Sequence, residues 1–135
     1  MVCIYCGHKT EVTNSRPKSK DSIVWRRRHC LFCSAIFTTY EIPDLDKSLR
    51  VKSSSNLLKP FLRDRIFIDV YTSISHRKDP LEDATQLTDT IISRLIAQKS
   101  SIIQTSAIKH MTSQVLSNFD SAGNTYYIAH FFDTH

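Results

Sequence analysis

Four cysteines constrain this chain more than any other feature. They read Cys3-x2-Cys6 and, 23 residues later, Cys30-x2-Cys33, all within the first third of 135 residues. Three chemistries use such pairs. A disulfide framework needs an oxidising compartment. Met1-Val2-Cys3-Ile4-Tyr5-Cys6 has neither the basic start nor the long apolar run of a secretory signal, so a cytoplasmic setting is expected. Two redox CxxC sites would each be expected near a βαβ pattern, which the sequence lacks. A structural zinc site suits the spacing better. Each CxxC turn presents two thiolates on one side of a tight knuckle, and two knuckles complete a tetrahedron around Zn2+. Four thiolates leave no open position for a catalytic water, so such a metal is structural. Gly7 follows the first knuckle, where positive φ is often needed, and Ser34 holds the matching place in the second. His8 and His29 flank the site and could replace a ligand, but surface roles are expected of both.

The pattern around the knuckles predicts a small β unit. Ser22–Arg28 and Ala35–Ile42 are rich in β-branched and aromatic residues and are expected to be strands. Ser15–Asp21 is polar, contains Pro17, and is expected to be a loop. Antiparallel strands joined at a zinc site form a zinc ribbon, whose slight core leaves much of the folding energy to the metal. Pro43–Asp46 marks a boundary, dividing a domain over 1–43 from another over 47–135.

Beyond it, Leu49–Lys52 is expected to be a strand, Ser53–Asn56 a turn and Leu57–Phe61 the return. The apolar period then lengthens to about 3.6. Ile66, Phe67, Val70, Tyr71 and Ile74 form one helical stripe. Asp79-Pro80-Leu81-Glu82 predicts a helix start with Asp as N-cap, Pro at N1 and Glu at N3. Ala84, Leu87, Ile91 and Leu95 form that helix's apolar face. A third helix is expected after Thr105-Ser106, with Ile108, Met111, Val115 and Phe119 inward, and a short fourth over Asn124–Phe132. No segment approaches the roughly 18 apolar residues of a membrane span. The two glycines cannot make a GxGxxG or Walker A loop.

The net charge of +5 is unevenly placed: residues 1–42 hold seven Lys/Arg against three acids. Such a concentration suits a polyanionic partner, either nucleic acid or a membrane surface. Arg26-Arg27-Arg28 precedes Cys30. On a strand Arg26 and Arg28 share one face and Arg27 points to the other. Arginine matches phosphate geometry bidentately, and Arg16, Lys18 and Lys20 extend the basic run. The plainer reading is that arginines balance the thiolates. One could be occupied that way, but hardly three. Trp25 and Tyr40 suit either base stacking or the ribbon's core. The C-terminal part carries no acid–base or nucleophile constellation, which argues against an enzyme. Its cations Arg50, Lys52, Lys59, Arg63, Arg65, Arg77 and Lys78 could converge on an anion such as a nucleotide, or form an ordinary solvated surface.

Taken in order, Cys3-x2-Cys6-Gly7, Val12–Arg16, Trp25–Cys30-x2-Cys33 and Phe37-Thr38-Thr39-Tyr40-Glu41 resemble the NrdR family, bacterial repressors of ribonucleotide reductase genes. The resemblance is specific over about forty residues and looser beyond, through Val51-Lys52, Pro60–Arg65 and His76–Lys78. It implies an α+β architecture: a small antiparallel zinc ribbon, then a mostly helical ATP-cone domain with an N-terminal β-hairpin. It implies one zinc held by Cys3, Cys6, Cys30 and Cys33. It implies double-stranded DNA with a palindromic operator as partner, contacted by Arg16, Lys18, Arg26, Arg27, Arg28, Thr38 and Tyr40. It also implies ATP or dATP as an effector near Arg50, Lys52, Arg63, Arg65, Arg77 and Lys78, a homo-oligomer, and no membrane association. An alternative is a nucleotide-sensing module whose ribbon docks on protein. Asn14, Ile36 and the Ser53–Asn56 turn depart from the family pattern, and the tail is shorter than usual.

Overall fold

The computed structural model describes residues 1–18 and 22–133, which sort into two compact units, Met1–Pro43 and Asp44–His135. Lys20 and most of the expected Ser15–Asp21 loop's second half lie outside the described residues.

The first unit is a three-stranded antiparallel sheet in the order β1 (Thr10–Pro17), β2 (Val24–Cys30), β3 (Ile36–Glu41). The strand β1 corrects the expected loop, since Ser15, Arg16 and Pro17 pair with Arg26, Trp25 and Val24. Its composition hid it. After Thr10 every residue of β1 is exposed, so no apolar alternation marks it. It is an edge strand, and Pro17 ends it, where a missing N–H costs no ladder bond. A bulge at Thr13 interrupts the register between Val12 and Asn14. The unit has almost no apolar interior: only Cys3 and Cys30 are buried among its described residues.

The second unit opens with one helical turn, α1 (Leu45–Ser48), which overlaps the end of the expected Pro43–Asp46 boundary. A hairpin of β4 (Arg50–Lys52) and β5 (Leu58–Pro60) follows. Its turn is held by Ser53, whose amide donates to Leu57 O (3.0 Å) and whose Oγ accepts from Leu57 N (3.3 Å). Asn56 takes φ 62°, a conformation Asn tolerates better than most residues. A third strand, β6 (Ile102–Gln104), pairs parallel to β4, giving the order β5-β4-β6. The expected hairpin is thus part of a larger sheet. Three residues are too few to show a period in sequence, and only Ile103 of β6 is buried.

The helices are α2 (Arg63–Ser73), α3 (Pro80–Ile96), α4 (Thr105–Phe119) and α5 (Ser121–Tyr127), with a π-helical turn over Ile128–Phe132. Ile66, Val70, Ile74, Ile91, Leu95 and Leu116 join Phe61 and Ile103 in one core. Burying side chains of this size contributes about 1.5–3 kcal/mol each before entropy is counted. Pro80 starts α3 as expected, but the Asp79 carboxylate makes no capping bond; the Asp79 carbonyl accepts from Asp83 N instead (3.1 Å). Thr105 is the first residue of α4 rather than a flank, and its hydroxyl reaches back to Lys52 O (3.3 Å). Phe119 is not inward: it is 38% exposed and lies under the Arg77 guanidinium, 4.3 Å from Cζ to ring centre. Gly123 lets α5 approach the end of α2; a Cβ there would sit 2.9 Å from Ile74 Cγ2.

Candidate functional site

The two knuckles are built alike. Cys3 O accepts from Gly7 N and Cys30 O from Ser34 N, both at 2.9 Å. Cys3 N donates to His8 O (2.7 Å) and Cys30 N to Ala35 O (2.9 Å). Gly7 and Ser34 both take positive φ, 78° and 64°. Thiols are thereby gathered: Cys3 and Cys33 Sγ are 3.7 Å apart, Cys6 and Cys30 Sγ 3.5 Å, and all four lie within 4.8 Å of one another. Backbone amides aim at two of them, Tyr5 N at Cys3 Sγ (3.4 Å) and Cys33 N at Cys30 Sγ (3.5 Å). The Cys33 amide is foremost in bringing the Cys30 pKa down to about 6, while, against the pull of the His8 amide, burial and the neighbouring thiols push Cys6 up to about 12, so four such crowded thiols ionise together only with a cation among them. None is in a disulfide. Four soft donors at this separation suit a closed structural zinc site. The flanking histidines stand aside: His8 stacks on Phe32 at 3.7 Å, and His29 Nδ1 faces Glu11 at 3.5 Å.

The sheet divides the basic residues between its two faces. Cross-strand partners share a face, and side chains alternate along each strand. Arg27 pairs with Asn14 and Thr38, and Trp25 with Arg16 and Tyr40. Arg16, Trp25, Arg27, Thr38 and Tyr40 therefore lie together, and all but the half-buried Trp25 are exposed. Lys18 Nζ sits 5.3 Å over the Tyr40 ring. Arg26 and Arg28 lie on the opposite face. Arg26 is bound to Glu41 at 2.9 Å, and Arg28 donates to Thr10 Oγ1 at 3.2 Å.

In the second unit a cavity of about 550 Å³ opens between the hairpin turn, α2, α4 and the C-terminal helix. Lys59, Arg65, Asp69 and Lys109 line it beside apolar walls that include Ile66, Ile108 and Phe131. Burial pushes the Asp69 carboxyl above the ordinary range, against the pull of Arg65 and Lys109. A smaller cavity of about 270 Å³ adjoins it and is lined by Lys52, Lys109 and His110.

Residues 1–41 match the family described as Transcriptional repressor NrdR-like, N-terminal domain. A transcriptional repressor NrdR of Thermoanaerobacter sp. is 32% identical over 121 residues, covering 89% of this chain and 76% of the relative. One from Sphingopyxis alaskensis is 33% identical over 124 residues, with 90% and 78% covered. One from Symbiobacterium thermophilum is 36% identical over 91 residues, with 67% and 60% covered, so the alignment spans less than two thirds of that relative. The chain belongs to the NrdR family. Those relatives are named as repressors, not enzymes.

In this NrdR-family chain the expected nucleotide residues are scattered. Arg65 lines the larger cavity and Lys52 the smaller. Arg50 donates to Asp46 O (2.9 Å) and Leu49 O (3.3 Å) at α1. Arg63 pairs with Asp89 of α3 (2.8 Å). Arg77, between α2 and α3, is held by Asp83 (3.0 Å) and Asp120 (2.9 Å), and neither it nor Lys78 lines either cavity. Sequence reasoning passed over Asp69 and Lys109. Their signal was positional: Asp69 follows Arg65 by one helical turn, and Lys109 follows Thr105 by one. No helix among the described residues is long and apolar enough to cross a membrane.

Proposed function

We propose that this chain is a zinc-dependent, nucleotide-responsive DNA-binding repressor of ribonucleotide reductase genes. Zinc held by Cys3, Cys6, Cys30 and Cys33 fixes the ribbon. The exposed face of Arg16, Arg27, Thr38 and Tyr40, with Lys18 beside it, lies on DNA, and it is the observation that carries this reading. It combines bidentate cations, a hydroxyl and an aromatic ring within a few strand positions, the groups that contact phosphates and base edges. Arg26 and Arg28 then serve the ribbon itself, since each already has a partner on the other face. The larger cavity of the second unit takes ATP or dATP, whose binding changes how copies of the chain assemble on a palindromic operator.

The test is fluorescence-anisotropy binding of the zinc-loaded chain to DNA upstream of its host's reductase genes, against scrambled DNA. Salt and nucleotide (none, ATP or dATP) are varied. Expected are sequence preference, loss of binding with EDTA, a steep fall with salt from counterion release, and a shift with nucleotide. Arg27→Ala should weaken binding by about tenfold or more with zinc content unchanged, and Arg26→Ala by less. Affinity that ignores EDTA and salt would overturn the reading. One observation favours a second reading, docking of the ribbon on protein: Ile4, Tyr5, Leu31 and Phe32 stand 67–70% exposed at the knuckles. Zinc-dependent binding with no preference for the natural DNA would favour it.

A further inference from the structure

The larger cavity is chemically graded along its length. Both helices that wall it start at the sheet, α2 just after β5 and α4 just after β6. Near the sheet lie the half-buried Ser53 and the exposed Ser54 and Ser55 of the turn, Lys59 on β5, and Thr105. Arg65 and Lys109 come within the next turn of their helices. One turn further, Asp69 meets Thr112 and Tyr127, which are 1% and 3% exposed. The Thr112 hydroxyl donates to Ile108 O at 2.8 Å. From Thr105 to Thr112 is about 10 Å at 1.5 Å rise per residue. Cations thus occupy the open end and middle, and a carboxylate among buried hydroxyls occupies the enclosed end.

This grading sets a ligand's direction if the cavity holds a nucleotide, the reading on which the inference rests. Phosphate at the enclosed end would lie against a carboxylate and is repelled. It belongs with Lys59, Arg65 and Lys109. The sugar adjoins the phosphate, so the base reaches furthest, its ring faces against Ile66, Ile108 and Phe131. We propose that Asp69 is a specificity-determining residue, accepting a hydrogen bond from the exocyclic amino group of the base. A base with no hydrogen-bond donor on that edge leaves that acceptor unpaired in a half-dry site, which is costly.

ATP and purine riboside triphosphate separate the two cases, because they differ only at that position, amino against hydrogen. Calorimetric titration of the full zinc-loaded chain with each should show ATP preferred by about tenfold or more. Asp69→Ala should bring the two affinities to within about twofold, chiefly by improving the purine riboside nucleotide. A structural role for Asp69 would weaken both alike and leave their ratio unmoved, and that result overturns the proposal. So does a wild-type chain that binds both equally, whatever the variant does. If the wild type binds neither, the nucleotide reading itself fails and this one falls with it.

Discussion

The two units reach order by opposite means. Met1–Pro43 has a sheet whose described interior buries little beyond two of the cysteines, and its strands carry the charges. Asp44–His135 packs four of its five helices and a short sheet over a continuous apolar core from Phe61 to Tyr127. The same chain therefore contains a metal-specified fold and a hydrophobically specified one. Spacing of ligands governs the first, and period of apolar residues governs the second. The first can devote an entire sheet face to polar contact because it does not need that face for a core.

The sharpest way to break this contrast is to remove the metal. Chelation, or Cys30→Ser, should unfold the ribbon completely, since structural zinc supplies on the order of 10 kcal/mol or more in such units. The helical circular dichroism of the second unit should persist; its simultaneous loss would refute the division. The converse change is Leu95→Ala, at a fully buried core position. It should cost about 2–5 kcal/mol in urea unfolding of the helices while zinc stoichiometry stays unchanged.

A smaller effect should come from acid. Asp120 caps α5 through Gly123 N and also accepts from Arg77 and His76, which brings its pKa down to about 2. A carboxylate with a lowered folded pKa stabilises above its unfolded value and loses that contribution as pH falls through the folded one. The helical unit should lose stability between about pH 4 and pH 2, and Asp120→Asn should flatten that slope. The comparison reads helix signal, because acid also strips zinc from thiolates. The smallest effect belongs to Ser34→Gly. Relieving a non-glycine residue at φ 64° should stabilise the ribbon by about 1 kcal/mol, seen as a higher midpoint of its zinc-loaded transition.

The legible parts of the sequence were those in which one residue type has one use. Cysteine spacing announced the thiol cluster, and Arg26-Arg27-Arg28 announced a charged strand whose alternation separates Arg27 from its neighbours. Long apolar periods announced α2, α3 and α4. What stayed hidden was set by partners distant in sequence. The strand β1 is exposed after Thr10 and carries no apolar alternation, because it forms one edge of the sheet. Arg77 stands in the sequence as one cation among several, and its partners Asp83 and Asp120 lie six and 43 residues away. The cavity's grading was invisible for the same reason, since Asp69, Lys109 and Tyr127 belong to three helices.

The parallel pairing of β4 with β6 carries a consequence for how the chain emerges during synthesis. Arg50 meets Ile102 and Lys52 meets Gln104, so the central strand waits on the far side until α2 and α3 have both been made. Contacts that close so long a loop form late and slowly. The ribbon needs nothing beyond its own forty-odd residues and a metal ion. A ribosome making this protein therefore releases one finished unit while the other is still missing its closing strand, and that open sheet edge is the stretch most exposed to mispairing in a growing chain.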